Sequence, residues 1–151
     1  MSAEGGCFCD AVRYRLEAEP IFVNACHCRD CQALTGSAFA LNGMVEADKL
    51  TVTRGEDAIA RREDAVRCGR CDTLLWAEHP MFGHAILFVR LGTLDESERF
   101  APDAHFFVRS RHPWVTLPAG ARAFDTLPGD DDAPLFNAAQ KARVDAAMAG
   151  S

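Results

Sequence analysis

The cysteines constrain this chain more than any other residue type. All seven fall in three tight clusters: Cys7-Phe8-Cys9, Cys26-His27-Cys28-Arg29-Asp30-Cys31 and Cys68-Gly69-Arg70-Cys71. Thiolates spaced one and two residues apart suit a soft ion with tetrahedral preference, so the chain reads as a zinc protein. The count divides them. The two outer pairs, Cys7 with Cys9 and Cys68 with Cys71, make four ligands and a closed site. The remaining three, Cys26, Cys28 and Cys31, make a site with one position open, and open sites do chemistry.

Spacing adds a backbone requirement. Zinc–sulfur bonds of about 2.3 Å place two sulfurs of a tetrahedron roughly 3.8 Å apart. Residues two apart in a flat strand are separated by about 6.6 Å. A Cys-x-Cys pair can share an ion only where the chain bends, and Gly5 and Gly6 before Cys7 are expected to permit that bend. The four-cysteine ion would tie the N-terminal end to the middle of the chain and act as a structural clip. In the three-cysteine site the fourth position is left to water, to substrate, or to one of His79, His84, His105 and His112. His27, set between two ligands, is expected to point away from their ion. Free or redox-active thiols are the competing reading.

At 151 residues the chain is of single-domain size, and a 48% hydrophobic fraction is enough for a core beside any metal. The formal net charge of -6 argues against a nucleic-acid groove and against docking to an anionic membrane. The longest apolar stretch, residues 85–89, is too short to span a bilayer. No basic region followed by an apolar run opens the sequence, so a cytoplasmic location is expected. In a reducing compartment such thiols serve as ligands rather than disulfides.

The pattern is mostly strand-like. Val12 to Leu16 alternates apolar and charged residues, and Leu50 to Thr53 alternates before the turn residue Gly55. Apolar runs at Ile21 to Ala25, Ser37 to Val45, Thr73 to Ala77, Ala85 to Leu91 and His105 to Arg109 are expected to be further strands. One helical turn is expected over Asp30 to Leu34, closed by Gly36. Asn137 to Met148 is alanine-rich and predicts a short C-terminal helix, loosely packed and joined by a flexible link at 128–134. The expected division is a zinc-binding domain over 1–127 and a linker with helix or tail over 128–151. Trp76 and Trp114 read as core or rim residues. Thr35-Gly36-Ser37 reads as a turn or a pocket edge. Arg109, Arg111 and His112 form a small basic patch, a solvated surface or an attractor for a carboxylate-bearing substrate.

Several runs resemble one family. Gly5-Gly-Cys-Phe-Cys9 with Ala11-Val-Arg-Tyr14, Cys26 to Cys31 with Thr35-Gly-Ser-Ala-Phe39, Cys68-Gly-Arg-Cys71 with Thr73 and Leu74, and His105 to Val108 with Trp114 and Leu117-Pro118 are similar to the signature segments of the glutathione-dependent formaldehyde-activating enzyme (Gfa) family. The resemblance runs from about Gly5 to about Leu127. It implies an all-β fold of several coiled antiparallel sheets around a structural zinc clip, an architecture shared with the centromere protein V domain. Carried over by motif, Cys7, Cys9, Cys68 and Cys71 would hold the structural zinc, and Cys26, Cys28 and Cys31 the functional one. The activity implied is carbon–sulfur lyase chemistry, joining formaldehyde to the thiol of glutathione. Asp10 and Asp72 stand where the family usually has glycine, and aspartate is tolerated there because it can adopt left-handed backbone conformations.

Three thiolate donors make zinc a weak Lewis acid, so thiol capture is expected in preference to carbonyl activation. The expected partners are a small-molecule thiol and an aldehyde. The alternative is a non-catalytic, zinc-stabilised binding module.

Overall fold

A computed structural model describes residues 2–151. Eleven strands alternate with short turns: β1 Ala3–Gly6, β2 Arg13–Leu16, β3 Phe22–Cys26, β4 Ala40–Glu46, β5 Leu50–Arg54, β6 Ile59–Arg62, β7 Ala65–Cys68, β8 Leu74–His79, β9 Gly83–Arg90, β10 Ala104–Phe106 and β11 Arg122–Ala123. Two helices are present, α1 Arg29–Thr35 and α2 Ala138–Ala149. The fold is therefore mostly β-sheet with a short C-terminal helix, as the sequence predicts.

The strands form two sheets, β1-β2-β5 and β11-β10-β3-β4-β9-β8-β7-β6. All pairings are antiparallel except two at one edge, where β10 runs parallel to β3 and β11 runs parallel to β10. The chain returns to β3 only after passing through β4 to β9, of which β5 lies in the other sheet, so β10 can enter in the same direction.

Alternation along each strand divides the side chains between two cores. On one face of the large sheet, Val23, Val45 and Val89, with Leu91 just after β9, share a core with Tyr14 and Leu16 of the small sheet and Val12 just before β2. Tyr14 meets Trp76 edge-on at 5.6 Å, and its hydroxyl lies 2.6 Å from Thr93 Oγ1. The opposite face carries Phe22, Met44 and Ile86, covered by Leu135, Phe136 and Val144.

The terminal helix is not loosely packed. Asn137 and Gln140 form a reciprocal capping box, Val144 is buried, and Arg143 reaches Glu46 at 2.7 Å and the Glu19 carbonyl at 2.9 Å. The strand expected over His105 to Arg109 is also shorter than expected. It stops at Phe106, because Phe107 takes a left-handed backbone (φ 57°) and Val108–Ser110 turn into a 3-10 helix. The Phe107 and Val108 amides leave the ladder and donate to the Thr126 and Phe124 carbonyls.

Candidate metal centre

Cys7 and Cys9 lie on the loop between β1 and β2, and Cys68 and Cys71 at the end of β7 and the loop after it. Both loops are built alike. The Cys7 amide donates to the Val12 carbonyl, and the Cys68 amide to that of Thr73. Asp10 donates back to the Cys7 carbonyl and Asp72 to that of Cys68. Both aspartates hold the left-handed backbone expected of them, φ 66° and φ 63°. The bend that brings Cys9 beside Cys7 is the turn over residues 7–10, with Phe8 and Cys9 at its corner and the Asp10 amide closing it on the Cys7 carbonyl, and not Gly5 or Gly6, which remain in β1. Gly5 answers to crowding instead: a Cβ there would sit 2.6 Å from the Thr93 carbonyl oxygen and 2.8 Å from the Tyr14 ring.

The four sulfurs lie within 4.8 Å of one another. Cys7 Sγ is 3.6 Å from Cys9 Sγ, which is 3.7 Å from Cys68 Sγ. These separations match the edge of roughly 3.8 Å expected around tetrahedral zinc. Backbone amides point at two of the sulfurs, Val12 N–H at Cys7 Sγ (3.2 Å) and Arg70 N–H at Cys68 Sγ (3.4 Å), as suits thiolates. Burial opposes ionisation of Cys7, yet the Val12 amide and the Cys68 and Cys9 thiols hold its pKa below the ordinary value. Burial also opposes ionisation of Cys71, yet the Thr73 hydroxyl and amide bring it down to about 6. Cys9, despite the Ala11 amide, is pushed up to about 11 by burial and the neighbouring thiols. Such a cluster cannot ionise fully on its own; its donors fit a dication that carries the charge.

Cys26 ends β3, Cys28 caps α1 and Cys31 lies in its first turn. Cys28 Sγ accepts the Cys31 amide at 3.3 Å, and Gly36, with φ 65°, closes the helix. The three sulfurs lie within 4.8 Å of one another, and no histidine joins either group among the described residues. Cys26 is buried, while Cys28 and Cys31 are part-exposed. The Cys31 thiol, opposed by burial and helped by the Cys28 amide and the Arg90 charge, brings Cys26 down to about 6. Cys31 is raised in turn, chiefly by its hydrogen bond to Cys26. Both clusters could hold zinc, one with four sulfurs and one with three.

The family model for the glutathione-dependent formaldehyde-activating enzyme matches residues 2–110. The chain belongs to this family. A Halomonas elongata protein, provisionally named a glutathione-dependent formaldehyde-activating enzyme, is 26% identical over 128 residues, 78% of this chain and 82% of its own. A Rhodobacter sphaeroides protein of known crystal structure shares the fold, with TM-score 0.51, 18% identity, and coverage of 66% of this chain and 97% of its own.

Within this member of the family, the other residues singled out in the sequence separate into core and surface. His27 turns away from the sulfurs, as expected. It is wholly buried, with Nε2 3.1 Å from His105 Nδ1 and its ring against Phe39. Burial first, then the charges of His105, Arg111 and His112, lower its pKa to about 4. Trp76 is core, whereas Trp114 is exposed and stacked on His112 at 5.3 Å. Arg111 of the basic patch donates from Nη1 to the Val115 carbonyl, while its Nε is buried without a partner among the described residues. Thr35 donates to the Cys31 carbonyl at 2.8 Å and lines a cavity of about 430 Å³, while Gly36 and Ser37 border a separate one. A cavity of about 760 Å³ lies between α2 and the β4 and β9 strands, away from both cysteine groups. No helix among the described residues is long and apolar enough to cross a membrane.

Proposed function

We propose that the protein is a zinc-dependent carbon–sulfur lyase-type enzyme that joins a small aldehyde to a low-molecular-weight thiol, and that it works in the reducing cytoplasm. Cys7, Cys9, Cys68 and Cys71 hold a structural zinc, and Cys26, Cys28 and Cys31 hold a functional one. The observation that carries this reading is the inequality of the clusters: four converging sulfurs in one and three in the other. Zinc at the three-cysteine seat supplies a single property, keeping a bound thiol deprotonated near neutral pH.

The residues of the chain do the rest. β3, buried along its whole length, fixes Cys26, and the Cys28 cap fixes the start of α1 so that Cys31 faces the same point. Gln32 donates to the His27 and Ser110 carbonyls at 2.8 and 2.9 Å and pins the helix against the sheet. This rigid frame orients the incoming sulfur. In the reaction the sulfur lone pair forms the new C–S bond, and the carbonyl π pair moves to oxygen. That oxygen takes up a proton equivalent to the one the thiol lost, so nothing is oxidised or reduced.

Elemental analysis of protein purified without chelator, followed by cobalt substitution and thiol titration, tests the proposal. Two zinc ions per chain, and a cobalt spectrum that changes as glutathione is added, are expected. One zinc per chain, or a spectrum indifferent to every thiol, would leave a zinc-stabilised binding module.

A further inference from the structure

Helix α1 has two sides, and they face different cavities. Cys31 shares one side with Leu34 and Thr35, whereas Arg29, Gln32, Ala33 and Gly36, spaced three and four residues apart, share the other. Against that second side lies a cavity of about 490 Å³, bounded across from the helix by His112 and Trp114. The volume falls within the range of small-molecule sites, about 300–1,000 Å³. No cysteine and no acidic side chain lines it among the described residues. His112 and Trp114 also stand outside the segment matched by the family model, residues 2–110.

Trp114 supplies a flat surface. It is 72% exposed, and one face of its ring is stacked on His112, with 5.3 Å between centroids and 10° between planes. The other face is left to solvent. A bare indole face attracts two kinds of partner, another flat ring or a cation.

Arg29 decides between them. Its Nη1 donates to Gln32 Oε1, and Gln32 is itself buried, its amide donating to the His27 and Ser110 carbonyls at 2.8 and 2.9 Å. The guanidinium is therefore anchored at one nitrogen, and it pairs with no carboxylate among the described residues. An unpaired positive charge on the wall repels a cation, and its remaining donors present a fork to an anion. The site is also built before a ligand arrives. Gln32 ties α1 to the Ser110 carbonyl, and the Val115 amide donates to the His112 carbonyl at 3.0 Å, so the loop that carries Trp114 is turned and held against the helix.

We propose that this cavity is a second binding site, for a small molecule that joins a flat heteroaromatic ring to an anionic group, with the ring on Trp114 and the anion on Arg29. The site is separate from the thiol seat and does not depend on it.

Trp76 is buried and Trp114 exposed, so a ring that stacks on Trp114 is read as quenching of the long-wavelength indole fluorescence. AMP and nicotinate offer the required chemistry with a phosphate and a carboxylate; adenosine and nicotinamide are their neutral counterparts. Saturable quenching is expected from at least one of the two anions, about tenfold or more tighter than its neutral counterpart, and the one that binds identifies the anionic group. Arg29→Met should bring the anion down to the affinity of the neutral ring. Trp114→Ala, followed by calorimetry, should weaken binding by about tenfold or more. Circular dichroism and zinc content verify that each variant is folded; should Arg29→Met fail to fold, Arg29→Lys, with its single ammonium, replaces it and should lie between. Glutathione, an anion without a ring, should leave the quenching unchanged. Neutral rings that bind as tightly as the anions, an affinity indifferent to Arg29 or to Trp114, displacement by glutathione, or silence from every probe overturns the proposal.

Discussion

Severing the four-cysteine clip should cost far more stability than severing the three-cysteine seat, although each loses the same number of sulfurs. In the clip, Cys9 and Cys68 are 59 residues apart in sequence and 3.7 Å apart at sulfur. By the chain-entropy relation for cross-links, closing a loop of about that length is worth about 4 kcal/mol. The corresponding figure for the six-residue stretch of the seat is about 2 kcal/mol. The clip figure is a lower bound, because structural zinc in small peptides stabilises by about 10–16 kcal/mol. Total stability for a domain is only about 5–15 kcal/mol. The perturbations are the double variants Cys68→Ser with Cys71→Ser, and Cys28→Ser with Cys31→Ser. Each should contain one zinc by elemental analysis. With melting temperature moving about 2–4 °C per kcal/mol in a chain of this size, the clip variant should melt roughly 8–16 °C lower or not fold at all. The seat variant should lose less than half as much. A clip variant that melts within a few degrees of the native protein, or no further below it than the seat variant, would refute the assignment of a structural role to Cys7, Cys9, Cys68 and Cys71.

Two further perturbations follow from contacts distant in sequence. Glu46 is buried against Arg143, and although burial alone would raise its pKa, the Arg143 hydrogen bonds hold it below the usual carboxylate value. A depressed pKa means the stabilisation is present above the unfolded carboxyl value near about 4.3 and is lost as pH falls through the lower folded value. Arg143→Met should therefore cost about 1–3 kcal/mol at pH 7 in urea melts, loosen α2 in hydrogen exchange, and cost progressively less below about pH 4; an unchanged penalty at low pH would contradict the pairing. Gly55 has φ 77°, and a Cβ there would stand 1.8 Å from the Ala11 carbonyl oxygen. Gly55→Ala should destabilise by about 3 kcal/mol or more and weaken zinc retention at the adjoining Cys9 loop, and a neutral effect in denaturant melts would count against the described approach of β5 to that loop.

What could be read from the sequence was whatever rests on local spacing. Cys26, Cys28 and Cys31, and each of the pairs Cys7–Cys9 and Cys68–Cys71, need only a local turn to come together, whereas the meeting of those two pairs depends on the long-range packing of the sheets. Alternation located β2 and β5, and apolar runs located β3, β4, β8 and β9. Gly36 marked the end of α1, and Asp10 and Asp72 marked the left-handed turns. The β6–β7 hairpin was less legible: Arg61, Arg62, Glu63 and Asp64 place consecutive charges at its tip, and no alternation survives there. The packing of α2 escaped for a different reason. Its apolar face is mostly alanine, so docking depends on Val144 and on an ion pair to a residue 97 positions away.

The same chemistry thus has two consequences, set by topology. Sulfurs brought together from β1–β2 and β7–β8 span from the small sheet to the far end of the large one, so an ion held there would help keep the two sheets in register. Sulfurs on the β3–α1 corner join nothing that β3 has not already placed. That strand is paired on both sides, to β4 and to β10, and the buried His27–His105 contact locks the residue between Cys26 and Cys28. A corner held by hydrogen bonds and packing keeps its shape whether or not an ion and its fourth ligand come and go. On the proposed assignment this separates folding from turnover: the three-cysteine seat would be free to exchange what it binds because the four-cysteine group, and not the seat, joins segments distant in sequence.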